Sequence, residues 1–281
     1  MGLLKAEKRA PKLIVLENVY GALTSHNGKD FTSIAEALAS DGYLFGALLI
    51  DAKHFVPQSR PRLFVIAVRD DLNIPQRIRS RTPCEMWHPG AVLNANWNLS
   101  DDVAKKWIWW NLPIPPQRDS AFIDLIEETP LGVKWHSTSE TERLLGMMSP
   151  ANLAKVADAK KFGARVVGSI YKRTRCHNGV KVQRAEVRFD NIAGCLRTPV
   201  GGSSRQEIII VEGENILTRL LSPREAARLM GVPEEYHLPD NYNAAYHLAG
   251  DGVVVPIVRH LVKYILDPIL NEIYVNSRVA A

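Results

Sequence analysis

Residues 13–19, with the sequence LIVLENV, form an apolar run that is interrupted only near its end, by a carboxylate and an amide. Runs of this kind are typical of central strands in a parallel sheet whose two faces are covered by helices. In open parallel sheets, ligands bind just beyond the carboxyl ends of the strands. Glu17 and Asn18 are therefore candidate functional residues, and a capped turn is the alternative interpretation of the same pair.

The first seventy residues alternate between helical and extended patterns. A helix that begins at Asp30 or Thr32 and ends at Gly42 follows the first strand. Residues 45–52 and 62–70 then form two further apolar strands, and the loop KHFVPQSRP between them places polar and basic side chains at one end of the sheet. The order strand, helix, strand, strand predicts an α/β fold, of which this segment is the back half of a doubly wound sheet.

Composition limits the class of protein. The 281-residue chain carries a net charge of +5, which fits a polyanionic partner. Its cysteines, Cys84, Cys176 and Cys195, lack metal-site spacing and are expected to be reduced thiols of a cytoplasmic protein. No apolar stretch approaches membrane-spanning length, and residues 1–12 lack the apolar core of a signal peptide. We expect a soluble intracellular protein.

The middle of the chain has a different character. Its segment WIWWNLPIPPQRD contains prolines that exclude a long regular element. Further along, short β-like runs alternate with basic residues, and Tyr171 and Phe189 lie among them, with Glu186 and Asp190 as the acidic residues. Clustered cations with interleaved aromatics favour phosphate contact, and a solvated charged surface is the alternative. The cations are Lys160, Lys161, Arg165, Lys172, Arg173, Arg175, Lys181, Arg184 and Arg188.

Three later segments carry local signals. Residues 197–206, RTPVGGSSRQ, combine paired glycines with hydroxyls and arginines, which suits a loop whose backbone closely approaches a ligand. The segment LSPREAARLMG predicts a helix with a capping box of Ser222 and Glu225 and with Pro223 at its first position. A Gly-Asp-Gly turn at residues 250–252 precedes a run of valines and is compatible with cradling a small ligand.

Four segments in this order resemble the DNA cytosine-5 methyltransferases: PKLIVLENVYGAL, PQSRPRLFVIAV, LRTPVGGSSRQ with LLSPREAARLMGVP, and LAGDGVVVPIVRHL. The most specific parts are the Glu-Asn-Val triplet, the Gln-x-Arg-x-Arg loop and the Ser-Pro-Arg-Glu helix. The resemblance spans essentially the whole chain. It implies a partial class I S-adenosylmethionine-dependent methyltransferase sheet, which is Rossmann-like, with a smaller target-recognition domain. Residues 1–75 would be the C-terminal half of the catalytic domain, residues 76–247 the target-recognition domain, and residues 248–281 the final motif and helix.

The resemblance also implies a chemistry. In this family the base is flipped out of the duplex, a cysteine thiolate adds to C6 of the cytosine, and S-adenosylmethionine supplies the methyl group. A carboxylic acid at N3 relieves the negative charge that addition places on the base, and Glu17 matches this acid. Asn18 matches the residue that braces this region. Arg60 and Arg62 match the two arginines of the Gln-x-Arg-x-Arg loop, the second of which is expected at the cytosine carbonyl and the carboxylate.

The remaining site residues implied by the resemblance belong to the cofactor and to DNA. The last motif is expected to touch S-adenosylmethionine through Gly250, Asp251, Gly252 and Val253. Gln58 is expected to support its loop and to belong to the DNA-contact set. That set comprises Gln58, Arg197, Thr198, Gly201, Gly202, Ser203, Ser204, Arg205 and Gln206. A restriction-modification setting is also expected.

Two family motifs that precede the Glu-Asn-Val strand have no counterpart here. These are the Gly-rich cofactor loop and the Pro-Cys nucleophile loop, and only residues 1–12 precede the strand. Cys84 follows a proline but comes after the Gln-x-Arg-x-Arg loop, which is the wrong order for the nucleophile. Without its neighbour, the strand at 13–19 would expose an apolar edge. We therefore expect double-stranded DNA and a second polypeptide bearing the missing half as partners, and an inactive DNA-binding module is the alternative.

Overall fold

The structure is a computed structural model, and it describes residues 9–177, 179–198 and 205–279. Its strands are β1 (Leu13–Val19), β2 (Tyr43–Asp51), β3 (Pro61–Arg69), β4 (Arg79–Ser80), β5 (Trp109–Trp110), β6 (Val166–His177), β7 (Val180–Arg188), β8 (Glu207–Glu212) and β9 (Asn215–Leu220). Its α-helices are α1 (Lys29–Ser40), α2 (Gly90–Trp97), α3 (Asp101–Ala104), α4 (Thr138–Gly146), α5 (Pro150–Lys161), α6 (Pro223–Leu229), α7 (Tyr242–Asp251), α8 (Val255–Leu261) and α9 (Asp267–Val279). No helix within the described ranges is both long enough and apolar enough to cross a membrane.

The chain divides into two compact units, each assembled from separate stretches of sequence. Unit 1 consists of Met1–Asp51, Pro61–Pro116 and Ile257–Ala281, and unit 2 consists of Ala52–Arg60 and Gln117–Pro256. The compact units differ from the predicted domains, since residues 76–116 belong to unit 1 and residues 248–256 to unit 2, and the functional boundaries at residues 75 and 247 stay predictions.

The sheet of unit 1 has the order β1-β3-β2, and β3 pairs with both neighbours in antiparallel orientation. The expectation of a parallel sheet with β1 at its centre is wrong for the described residues, since β3 is central and β1 has a partner on one side only. Residues Leu63–Val68 of β3 are buried, whereas Val15, Leu16 and Val19 of β1 are 42%, 38% and 53% exposed. An apolar run makes a strand suited to burial, but its partners are supplied by other parts of the chain.

Helix α1 packs against the sheet of unit 1 through one apolar face. Phe31, Ala35 and Leu38 recur at helical spacing and are buried. The predicted cap at Asp30 does not form, because this residue lies inside the first turn. Its carboxylate accepts a hydrogen bond of 2.5 Å from the Ser25 hydroxyl instead.

Tryptophans close the core of unit 1. The ring of Trp107 makes edge contacts with Phe31 and Phe45, at centroid distances of 6.1 and 5.5 Å. Gly46 is required beside this cluster, because a Cβ atom there would lie 2.0 Å from the carbonyl oxygen of Ile108. The proline-containing segment that begins at Trp107 contributes only the two-residue strand β5, as its composition predicted.

The sheet of unit 2 is antiparallel throughout, with the order β7-β6-β8-β9. Helices α4 and α5 cover part of one face, where Leu144 and Val156 pack with Ile170 and Ile209. Unit 2 therefore has its own apolar core.

Helices α6 and α7 follow this sheet. The predicted capping box is confirmed, since the Ser222 side chain accepts from the backbone of Glu225 and the Glu225 side chain accepts from the backbone of Ser222. The predicted Gly-Asp-Gly turn is instead a helix end: Gly250 and Asp251 belong to the last turn of α7, and Gly252 is its C-cap.

Candidate functional site

Glu17 and Arg62 meet at the end of β1 in unit 1. Arg62 stands opposite Val19 in the β1–β3 register, so Glu17 is its diagonal neighbour on the same face. The Arg62 Nε atom lies 2.9 Å from Glu17 Oε1, and the two side chains are 15% and 28% exposed. The structure thus brings together two of the four predicted catalytic residues, in a charged pair that remains accessible to a ligand.

Asn18, the neighbour of Glu17, has a local role. Its Oδ1 atom accepts a hydrogen bond of 2.8 Å from the backbone N–H of Val19. A 3-10 helix, Tyr20–Leu23, begins immediately after this bond. Asn18 thus bonds to the backbone of the next residue, while Glu17 faces an arginine, and the predicted bracing role of Asn18 stays a prediction.

Arg60 belongs to unit 2 and is buried there. Its Nη1 atom donates to the carbonyl of Leu196 at 2.9 Å. Its Nη2 atom donates to the carbonyls of Gly250 and Gly252 at 2.8 and 3.0 Å. The guanidinium supplies donors in a fixed fork, so Arg60 holds two distant backbone segments together.

Gln58 makes a similar bridge in unit 2. Its Nε2 atom donates to the carbonyl of Leu229 at 2.8 Å, and its Oε1 atom accepts from the N–H of Leu196 at 3.1 Å. The side chain is fully enclosed. This position supports the loop but does not fit the predicted DNA contact, because no part of the side chain reaches the surface.

The predicted DNA-contact segment is only partly described. Arg197 is exposed, and the Thr198 hydroxyl donates to the Asp251 carboxylate. The Arg205 guanidinium donates to the Asn243 side chain. Residues 201–204, which include the predicted Gly201, Gly202, Ser203 and Ser204, lie outside the described residues.

Gln206 ends this segment inside unit 2. It is buried, its Oε1 atom accepts from the Tyr171 hydroxyl, and its backbone N–H donates to the Tyr246 hydroxyl at 3.0 Å. Burial raises the pKa of Tyr246 to about 12, and burial also raises the pKa of Tyr171 well above its ordinary value. Both phenols are therefore neutral at physiological pH, and Gln206, like Gln58, does not fit a direct DNA contact.

The predicted cofactor segment has its polar groups engaged within unit 2. The carbonyls of Gly250 and Gly252 face Arg60, and the carboxylate of Asp251 accepts from Thr198. A Cβ atom at Gly250 would lie 2.9 Å from the backbone nitrogen of Thr198, so the glycine permits close packing of chain on chain. Gly250, Asp251, Gly252 and the half-buried Val253 do not by themselves fit S-adenosylmethionine.

Sequence reasoning missed a buried charge network in unit 2. Arg219 donates to Glu225 in a two-pronged pair, at 2.7 Å from Nη1 to Oε2 and at 2.6 Å from Nη2 to Oε1. Both side chains are fully buried, and the Trp135 ring lies 4.8 Å from the Arg219 guanidinium carbon. The capping box identified Glu225 as a helix-start residue, but no local signal indicated its arginine partner.

The predicted cluster of cations is largely neutralised by acidic side chains. Lys160 pairs with Glu214, Lys161 with Asp158, Arg165 with Glu128, Lys172 with Glu207, Arg173 with Glu186, and Arg188 with Asp190. Three of these six acids, Glu128, Glu207 and Glu214, lie on other elements that folding brings close. The run is therefore not a uniform positive surface.

Comparison with known proteins identifies relatives along nearly the whole chain. The family model of the C-5 cytosine-specific DNA methylases matches residues 3–267. The type II methyltransferase M.BanI of Aneurinibacillus aneurinilyticus is 22% identical, over 96% of this chain and 74% of its own length. The DNA-cytosine methyltransferase of Escherichia coli K12 is 27% identical, over 95% of this chain and 52% of its own length.

Solved structures of methyltransferases also align with the chain. Dnmt2 methyltransferase of S. pombe is 17% identical, with a TM-score of 0.42, and covers 92% of this chain and 67% of its own. The Entamoeba histolytica methyltransferase EhMeth is 16% identical, with a TM-score of 0.47, over 92% and 63% of the two chains. The chain spans about half to three quarters of the length of the two curated relatives described above.

Proposed function

Because the chain belongs to the family of C-5 cytosine-specific DNA methylases, we propose that it supplies the acid, the arginine and the DNA-recognition part of a DNA cytosine-5 methyltransferase. The observation that carries this proposal is the contact between Glu17 and Arg62 at the end of an apolar strand. Residues 17 and 62 were assigned to neighbouring roles on motif resemblance alone, and they are in contact. A carboxyl group beside a guanidinium at an accessible strand end suits recognition of a polar heterocycle.

Glu17 and Arg62 act on the flipped cytosine. The Glu17 carboxyl group holds a proton at N3 of the ring and so stabilises the negative charge that nucleophilic addition creates. The Arg62 guanidinium orients this carboxyl group through Nε and donates from Nη1 to the Pro61 carbonyl at 3.0 Å, and we assign it contact with the cytosine carbonyl oxygen when the base is bound. S-adenosylmethionine supplies the transferred methyl group when it is bound.

Arg60 and Gln58 serve this function as positioning residues in unit 2. Through Leu196, both side chains hold the backbone that leads into Arg197 and Thr198. Arg197, Thr198 and Arg205 remain our candidates for DNA contact, as do residues 201–204. The assignment of a target-recognition domain to the region 76–247 also stays a proposal.

A further strand is needed beside β1. The exposed apolar side chains on this strand, together with its unpaired edge in the described part of the chain, favour association with another β-strand. We assign this role to a segment that carries the Gly-rich cofactor loop and the Pro-Cys nucleophile loop, on a second polypeptide or on the same one. The same segment would complete the S-adenosylmethionine site. A cytoplasmic location and a restriction-modification setting remain predictions from the family.

The test is to co-express the chain with a complementary half that carries both loops and to measure transfer of a labelled methyl group to DNA. Glu17→Gln should lower the rate by about 10²- to 10⁴-fold, the usual contribution of a positioned acid. Glu36→Gln, which alters an exposed carboxylate on α1, should leave the rate unchanged. Undiminished transfer by Glu17→Gln would remove the role given to this residue. DNA binding without transfer in any pairing would favour the inactive DNA-binding module.

A further inference from the structure

Unit 2 contains a cavity of about 550 Å³. It is lined by the C-terminal half of helix α5, the start of strand β6 and the residues that follow strand β7. Pockets that hold small molecules have volumes of roughly 300–1,000 Å³. The cavity contains none of the residues to which the proposed function assigns a role, so that function leaves it unexplained.

The walls of the cavity are mainly apolar and include two aromatic rings. Ala159 of α5 and Val167 of β6 are buried. Phe189 packs against the apolar core of unit 2, and its ring lies close to β6 because residue 168 is glycine: a Cβ atom there would be 2.6 Å from Cδ1 of the ring. Phe162, the C-cap residue of α5, is 72% exposed. A ligand with an apolar ring system would cover Phe162 and remove this surface from water.

Arg165, which lines the cavity, has a hydrogen-bond donor without an acceptor. Its Nε atom is enclosed and makes no hydrogen bond with any residue that the structure describes. The same guanidinium pairs through Nη1 with Glu128, whose side chain is 75% exposed. A buried donor without a partner is costly, so an acceptor on a bound molecule would stabilise the site.

Lys155 supplies a second positive charge to the cavity. Its Nζ atom donates to the carbonyl of Val187 at 3.2 Å and lies 3.5 Å from Asn152 Oδ1, and both of these acceptors are neutral. Within the described part of the chain no carboxylate pairs with Lys155. The acidic lining residue, Asp158, faces Lys161 at 3.5 Å. A carboxylate on a ligand would therefore supply the counter-ion that Lys155 lacks.

We propose that this cavity binds a small aromatic carboxylate. The ring system packs against Phe162 and Phe189, and the carboxylate accepts from Arg165 Nε and neutralises Lys155. Apolar walls with a few polar groups are the usual construction of a small-molecule site, and charge-assisted hydrogen bonds fix the orientation of the ligand. Because an apolar cavity of about 150 Å³ holds benzene, the larger volume here admits a fused two-ring system.

The first experiment measures binding of naphthaleneacetate, a two-ring carboxylate, to the full chain by isothermal titration calorimetry. Naphthaleneacetamide has nearly the same shape without the charge and should bind about 10- to 100-fold more weakly, because hydrogen bonds to a charged group are lost. Arg165→Gln should remove most of this difference, and it breaks only a partly exposed ion pair. Arg143→Gln removes the same charge from an exposed residue of α4 that does not line the cavity, and it should leave both affinities unchanged.

A second variant tests the apolar part of the site. Phe162→Ser alters a side chain that is largely exposed, so the fold does not depend on it, and it should weaken both ligands about 3- to 10-fold. Binding of neither ligand by the unaltered chain would overturn the assignment of the cavity. Equal binding of the carboxylate and the amide, or an Arg165→Gln variant that keeps the parent's preference, would overturn the assignment of a carboxylate. None of these results bears on the proposed function, which uses other residues.

Discussion

The two motif carboxylates of this protein, Glu17 in unit 1 and Glu225 in unit 2, both pair with an arginine but in opposite surroundings. Glu17 meets Arg62 with its Oε1 atom 2.9 Å from the Arg62 Nε atom, near the end of β1, where the pair is partly exposed. Glu225 meets Arg219 through two bonds and has no exposure. One pair is open to a ligand, and the other is sealed within the protein.

Burial and hydrogen bonding give Glu225 a different role from the partly exposed Glu17. The Glu225 oxygens also accept from the backbone N–H groups of Glu127 and Ser222, at 2.8 and 2.7 Å. A buried carboxylate with four hydrogen bonds has no capacity left for a substrate, so its role is structural. A partly exposed carboxylate beside an arginine, such as Glu17, is accessible to a further partner. The role of an acidic motif residue therefore depends on the groups that its oxygens already bind.

The largest expected change in stability follows from breaking the buried Arg219–Glu225 pair. Arg219→Met leaves the Glu225 charge buried without a counter-ion and should lower the free energy of unfolding by about 3–5 kcal/mol. Urea denaturation followed by circular dichroism measures this change. The double variant Arg219→Met with Glu225→Leu should lose less than the single variant, because it no longer buries a charge. A loss below about 1 kcal/mol for Arg219→Met would show that the two pairs do not differ as described.

His88 in unit 1 is a third buried polar group, and it differs from Glu225 because it is neutral. His88 is enclosed, its Nδ1 atom accepts from the Cys84 N–H at 2.9 Å, and burial lowers the pKa of His88 to about 4. Between pH 6.5 and about 4 the unfolded chain therefore binds a proton that the folded chain does not, and stability falls as the pH falls. This contribution is about 2 kcal/mol between pH 6.5 and pH 5.

Urea denaturation at pH 7 and pH 5 tests the role of His88. The carboxylates of the protein also respond to pH, so the informative quantity is the difference between the parent and His88→Gln. The variant should lose about 2 kcal/mol less than the parent on acidification. Equal losses in the two proteins would mean that His88 takes up its proton without unfolding.

The smallest effect on stability is expected at the open pair. Arg62→Met should lower the free energy of unfolding by about 1 kcal/mol or less, because the pair is partly exposed. The same change should abolish most methyl transfer in the complemented enzyme, since Glu17 would lose its orienting group. A stability loss as large as that of Arg219→Met would make Arg62 a structural residue instead.

Several features could be predicted from the sequence because they depend on neighbours a few residues apart. The apolar runs predicted the three strands of the β1-β3-β2 sheet, and the prolines after Trp107 correctly excluded a long element there. The Ser222 capping box formed as expected, since both of its partners lie within one helical turn. The family followed from the order of four motifs and is confirmed by the match over residues 3–267.

The features that could not be predicted depend on residues far apart in the chain. Arg60 and Arg62 stand two positions apart, yet one binds carbonyls near residues 196 and 250, while the other meets Glu17. The sequence predicts that Gln58 lies in a polar loop, but its side chain is enclosed by segments more than 130 residues away. The cations of the basic run likewise find most of their acidic partners outside the run.

By itself, then, the sequence determined the three strands of the β1-β3-β2 sheet, how helix α6 begins, and the family to which the chain belongs. Those properties follow from periodicity, capping and motif spacing, which act over short distances. Only the tertiary structure decided the direction of strand pairing, the burial of Gln58 and Arg60, and which charges remain available to a partner. These depend on which distant segments meet, because the burial and neutralisation of a side chain are set by its neighbours in space.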